Sequence, residues 1–325
     1  MRFNVFIPNK KGHYSDYSLF LEQVLKGNEV VFCKSFKQKF AAIFQIRSSI
    51  IFLDIDDNPD YLWLMFRFFF SKLNFGVSVS AETLLQKKFS LSYWNHAKKR
   101  ALKKWIKYYV IRFFTVTRRF NLISIHKDTS YENDLKSIVS LLTYDFQYYD
   151  LKYLNYNIEK MDEFDTLSVE NKNNSVLIVN NTSTAKKNLD DLKEWIESEK
   201  NLFFIIVGKA NFLEESKLEN VYHIDKYVSN EELIYLIKNS AYIYCYYSNN
   251  RPSGFMGRSM QLRKKVIVPA NGYLGSIPYP NSIKLNSLKM FNSFLQNKDF
   301  SKITESDFKN FDESQKLISF LLRTK

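Results

Sequence analysis

The stretch from Arg251 to Gly272, RPSGFMGRSMQLRKKVIVPANG, has the residue types that hold a phosphorylated ligand. Ser253, Gly254 and Gly257 are small enough to let backbone N–H groups approach an anion at the amino end of a helix, where the helix dipole is positive. Phe255 and Met256 lie between the glycines, and the next residue, Arg258, can grip two phosphate oxygens at once. At the other end of the chain, His13 is the residue type whose ordinary pKa, about 6.5, suits removal of a proton from a hydroxyl near neutrality. It shares its loop with Gly12 and with Asp16, a further acidic candidate; the alternative is a solvated His beside Lys10 and Lys11. Asp54, Asp56 and Asp57 suit a metal or catalytic cluster, but ahead of Asn58 and Pro59 the same residue types also cap and start a helix. No Gly-x-Gly-x-x-Gly occurs and the chain has only 8 Gly, which disfavours a nicotinamide dehydrogenase.

Such residues need a scaffold, and 325 residues suit two domains rather than one. A hydrophobic content of 45%, with 29 Phe and 21 Tyr, supplies two packed cores and argues against disorder. Cys33 and Cys245 have neither disulfide-framework nor zinc-site spacing, which fits a reducing cytoplasm. The first residues lack the order of a secretory signal and read as a core strand. The apolar run Tyr61 to Phe70 is interrupted by Arg67 and is too short to span a bilayer.

In the second half, short apolar runs alternate with amphipathic segments, as βαβ units require. Strands are predicted over 175–179, 202–207, 221–224, 242–247 and 266–268, with helices over 187–199, 231–239 and 257–262. The spacing of Leu189, Leu192, Trp195 and Ile196 places one helix face on a sheet. The first half opens in the same way, with strands over 3–7, 30–32, 50–54, 77–79 and 122–125 and a helix over 17–25. The polar run 159–175 reads as a linker, giving domains at 1–160 and 175–300 and a closing amphipathic segment at 301–325. The fold class expected is α/β with doubly wound parallel sheets.

Charge is uneven. The net +13 comes mostly from residues 1–160, with 25 Lys and Arg against 14 Asp and Glu, and Thr83 to Lys127 holds twelve basic residues and no acidic one. Lys98, Lys99, Arg100, Lys103, Lys104, Trp105 and Lys107 combine charge with aromatic neighbours as a helix on an anionic membrane surface does. The alternative is a solvated basic face with its aromatics turned inward. Nucleic acid would use the same charge, but no RNA-binding signature accompanies it, so none is expected as a partner.

Four stretches, SVLIVNNTSTAKKNLDDL, LFFIIVGKA, YVSNEELIYLIKNSAYIYCYYS and the Arg251 to Gly272 run, follow one another over roughly 175–275. Their order of strand, polar loop, helix, strand ending in Gly208, strand, helix, strand and glycine-bearing loop resembles the donor domain of GT-B glycosyltransferases. The resemblance implies two Rossmann-like domains facing a cleft, with Lys187, Lys209 and Arg258 near the donor diphosphate. Asn181 stands where the family usually has Arg. Asn250 and Arg258 replace the paired Glu typical of retaining members, so retention is not implied. His13 and Glu82, the latter beyond the strand over 77–79, become cleft-facing candidate bases, and Gly12 and His126 become acceptor or sugar contacts. The last segment becomes a helix crossing back to the first domain.

The function implied is transfer of a sugar from a UDP-, GDP- or dTDP-sugar to a glycan or lipid-linked acceptor. Its setting would be synthesis of bacterial lipopolysaccharide, capsule or related glycan, on the cytoplasmic side of the inner membrane. No cofactor beyond the donor and no metal is expected. The alternatives are a non-catalytic basic protein that binds nucleic acid or membrane, and a sugar-nucleotide epimerase of the same architecture.

Overall fold

The computed structural model describes residues 1–8, 14–55, 59–67, 74–78, 106–125, 139–143, 161–179, 189–209, 218–247, 253–304, 307 and 314–322. The chain divides into two compact units, one formed by Met1–Gln147 with Glu313–Lys325 and the other by Tyr148–Asp312.

The first unit is built on a sheet of β1 (Arg2–Phe6), β2 (Glu29–Cys33), β3 (Ser48–Phe52), β4 (Asn74–Ser78), β5 (Phe120–Ser124) and β6 (Leu141–Leu142), in the order β2-β1-β3-β4-β5-β6. Every pairing is parallel, and β3 and β4 are buried along their whole length. This is why their sequences read as unbroken runs rather than as an alternation. One side of the sheet carries the helices Phe36–Ile43 and Trp63–Arg67 and the helical residues 106–116. Their inner residues Ala42, Ile43, Leu64, Ile111 and Phe114 share a core with Phe6, Ile50, Phe52 and Leu122. Ser35 caps the Phe36–Ile43 helix reciprocally with Gln38, a start signal legible in the sequence.

Arg67 ends its short helix inside this core, 1% exposed. Its guanidinium donates to the carbonyls of Ile43 (2.9 Å), Gln45 (3.1 Å) and Ser48 (2.6 Å), tying the turn before β3 to the helix. Burial lowers its pKa to about 10, which leaves it charged at neutrality. The terminal helix Ser314–Leu322 belongs to this unit, where Phe320 meets Phe75 edge to face at 6.0 Å.

The second unit holds β7 (Ser175–Val179), β8 (Phe203–Val207), β9 (Val221–Ile224), β10 (Tyr242–Tyr244), β11 (Lys265–Pro269) and β12 (Ser282–Leu285). They pair in parallel in the order β12-β11-β10-β7-β8-β9. Trp195, from the helix Leu189–Ser198, anchors one face with its ring 5.1 Å from Phe204 and 5.4 Å from Phe291. After β11 the short helix Tyr273–Ser276 runs so close that a Cβ added at Gly275 would lie 2.3 Å from the Pro269 carbonyl oxygen.

Three sequence expectations need correction. Residues 159–175 are not a bare linker: they contain the helices Asp162–Asp165 and Val169–Asn173, and the division between units falls after Gln147. Phe164 is fully buried, 5.9 Å from the ring of Tyr235, whose hydroxyl donates to the Asp165 carboxylate. The strand expected over 242–247 stops at Tyr244, because the Tyr247 N–H turns back to the Cys245 carbonyl (3.0 Å). Lys107 does not join a lipid-facing row; it is buried, with Nζ 5.3 Å from the Tyr61 ring centroid, where the aromatic face offsets part of the loss of hydration.

Gly275→Ala is expected to destabilise the chain by roughly 1–3 kcal/mol, since the obstructing atoms are backbone and cannot rotate away. The thermal midpoint of the variant checks this; an unchanged midpoint would refute the close approach.

Candidate functional site

The strand order of the second unit reverses between β7 and β10: the chain runs from β7 outward to β8 and β9, then returns to the other side of β7. In a doubly wound sheet the crevice for a ligand opens at the carboxyl ends of the strands where this reversal occurs. Here those ends are Val179 and Tyr244. The Gly254–Gln261 helix follows from β10, so its amino end belongs to this crevice.

That helix starts earlier than the glycine pattern suggested, at Gly254 rather than Gly257. Ser253 adopts extended backbone angles at the cap, its hydroxyl accepts from the Met256 N–H (3.3 Å), and its carbonyl takes the Gly257 N–H (3.0 Å). Met256 and Gly257 are therefore buried first-turn residues, not loop residues. Among the described residues the N–H groups of Gly254 and Phe255 find no partner, and the first turn holds no acidic residue. Two such donors at a positive helix end make a seat for an anion.

Arg258 points its Nη1 at the Asn230 side-chain oxygen, 2.8 Å away. Asn230 opens the helix Asn230–Asn239, whose cap is Ser229 in a reciprocal arrangement with Glu232. Arg258, in the last turn of its own helix, thus ties that helix to the amino end of the Asn230–Asn239 helix. The Glu232 carboxylate accepts the Ser229 N–H (2.7 Å), and this bond, with Lys226 nearby at 3.3 Å, holds it below the usual carboxylate range. Neither Asn230 nor the Ser229 and Glu232 pair was singled out from sequence, although Ser-x-x-Glu ahead of an apolar run is a readable signal.

Gly208 closes β8 with φ +88°, a conformation that favours glycine. Its N–H bonds the Ile224 carbonyl (2.9 Å) and its own carbonyl meets His223 Nε2 at 2.7 Å, so the turn that carries Lys209 is fixed from both sides. The tyrosines after β10 form a second feature missed from sequence. Tyr246 donates to the Asn286 carbonyl (3.0 Å), and the Tyr247 hydroxyl, which lies against Ser253, is pushed well above its ordinary pKa, first by burial.

Asn181 and Lys187, Gly12 and His13, Glu82, His126 and the basic residues 98–105 all lie outside the described residues; Asp16 is helical, within Tyr14–Val24. Among the described residues no three His, Cys, Asp or Glu side chains converge as a metal site would need. A groove of about 830 Å³ opens elsewhere, at the amino ends of β7 to β9, lined among others by Asn171, Asn174, Phe203 and Asn220. It also presents Glu170, Glu219 and Lys200 and lies at the opposite end of the strands from the crevice.

No family model and no curated protein sequence matches the chain. Solved structures do match along its full length. HepE of Anabaena, in complex with UDP and glucose, superposes with a TM-score of 0.55 at 11% identity, over 98% of this chain and 95% of that one. WaaG, a glycosyltransferase involved in lipopolysaccharide biosynthesis, gives 0.54 at 12%, over 99% and 100%. Sucrose-phosphate synthase from Thermosynechococcus elongatus gives 0.57 at 10%, over 99% and 97%. At these identities the likeness shows the fold, which is the GT-B architecture of two Rossmann-like domains.

The Glu232 cap sets a pH dependence. A carboxylate whose folded pKa lies below its unfolded value stabilises fully above that unfolded value, about 4.3, and loses the contribution as pH falls through the folded one. Glu232→Ala should therefore lower the thermal midpoint at pH 7 and by a smaller margin at pH 3. An equal deficit at both pH values would contradict the assignment.

Proposed function

We propose that this chain, whose architecture is GT-B, transfers a sugar from a nucleoside-diphosphate sugar to an acceptor hydroxyl. One observation carries the proposal: the N–H groups of Gly254 and Phe255, without a partner among the described residues, open at the strand-order reversal of the second sheet, where this topology places a ligand. Such a seat suits the donor diphosphate, and in glycosyl transfer the charge that builds on the departing diphosphate is what a protein must stabilise. Preorganised backbone donors do this without reorienting during the reaction. Lys187 and Lys209 are assigned the side-chain charge, with Arg258 shared between Asn230 and the diphosphate.

The likeness to HepE, whose structure holds UDP and glucose, supports a uridine nucleotide as the first donor to test. His13 and Glu82 are the assigned bases if configuration inverts. WaaG, described as acting in lipopolysaccharide biosynthesis, supports a surface glycan as the acceptor class, and the basic surplus of residues 1–160 supports an acceptor presented at an anionic membrane surface.

Thermal-shift titration with UDP, GDP, dTDP and their sugars tests the reading. At a ligand concentration 100 times its Kd, stabilisation of about 2.7 kcal/mol is expected from one of the nucleotides. Lys187→Ala combined with Arg258→Ala should abolish the shift while leaving the unliganded midpoint within a few degrees. No response to any nucleotide would overturn the proposal.

A further inference from the structure

The outer surface of the three-helix layer in the first unit carries apolar side chains where a helix facing water carries charge. Phe36, Phe40 and Phe44 occupy successive turns and are 70%, 49% and 53% exposed. Their neighbour, the Trp63–Arg67 helix, exposes Met65 and Phe66, and the helical residues 106–116 expose Tyr109, Phe113 and Val116. The rings touch rather than scatter: Trp63 lies 5.3 Å from Phe36, 6.3 Å from Phe40 and 5.7 Å from Phe66. All three helices rest on one core on one side of the sheet, so the exposed rings belong to one face. A contiguous patch of this kind marks an interaction surface.

Its charge says what covers it. No acidic residue occurs from Val30 to Leu53, from Tyr61 to Ala81 or from Ile106 to Lys127. Asp60, the acidic residue nearest in sequence to the three helices, is buried and paired with Lys39 at 2.7 Å. Lys34, Lys37, Arg47, Arg112 and Arg118 are all exposed on these same segments. An aromatic face with cationic and no anionic side chains matches the interface of an anionic bilayer, where rings enter the headgroup boundary and Lys and Arg meet lipid phosphate. A second copy of the chain would set these cations against their own counterparts.

We propose that this face docks on anionic lipid, with Phe36, Phe40, Phe66 and Phe113 as the inserting side chains. The docking surface is thus assigned to the helical layer that carries Tyr109 and Phe113, with Lys107 on its inner side. The proposal rests on the reading that the chain works at an anionic surface, and not on the transfer chemistry.

Sedimentation of the full chain with vesicles tests it, with nucleotide binding measured separately so that the two readings fail independently. The chain should partition onto phosphatidylcholine vesicles containing phosphatidylglycerol at least ~10-fold better than onto phosphatidylcholine alone. Replacing Phe36, Phe40 and Phe66 together by Ser should weaken that partition by roughly 10- to 100-fold. Phe113→Ser, on a different helix, should weaken it by a smaller factor. Thermal midpoint and nucleotide response should stay unchanged in both variants. Failure of the wild type to bind anionic vesicles, or equal binding by the triple variant, would overturn the proposal. A wild-type dimer that the triple variant dissolves, without any change in vesicle binding, would overturn it as well and assign the face to a second copy.

Discussion

Parallel pairing of β7 with β10 is the constraint on which the second unit depends. Strands joined by right-handed crossovers can be laid down in one direction only until the chain turns back, and the turn leaves two neighbours whose connections depart to opposite sides. Here the chain leaves β7 towards β8 and leaves β10 towards β11, so the reversal in strand order falls between the ends at Val179 and Tyr244. The Ser253 cap, the N–H groups behind it and the glycine turn that ends β8 acquire chemical meaning because of that reversal. The same helix elsewhere on the sheet would be a packing element.

The first unit repeats the device with a different emphasis. Its order β2-β1-β3 reverses at β1 and β3, whose carboxyl ends lead into the stretches containing His13 and Asp56. Its packing is secured by polar bonds as much as by apolar contact. Arg67 satisfies three carbonyls around the turn before β3, and Lys39 is paired with Asp60 in the same interior. With these charges held inside, the outward faces of the helices are free to be apolar, and that is where Phe36, Phe40 and Phe66 appear.

Legibility followed burial. β7 begins and ends where its apolar run does, because a parallel strand covered on both faces shows in its composition. The helix carrying Leu192, Trp195 and Ile196 was equally clear, since one face is core. Misreadings arose where polar residues are structural. The run VENKNNS looks like a linker but forms a helix under a Ser168 cap, and its neighbour Phe164 supplies the buried contact that composition alone does not reveal. The sequence reading starts the helix at Gly257, whereas the Ser253 cap and the buried Met256 carry it back to Gly254 despite glycine's low helix propensity. The link between Arg258 and Asn230 spans 28 residues and has no local signature. β12 was missed because SIKL is short and half polar.

The central claim is that the amino end of the Gly254–Gln261 helix, at the carboxyl ends of β7 and β10, seats a nucleoside diphosphate. A crystal structure of the chain soaked with UDP tests it most directly. The expected result is diphosphate density with oxygens within about 3 Å of the Gly254 and Phe255 nitrogens. Density in the groove by Asn171 and Asn220 with the helix end left empty would contradict it.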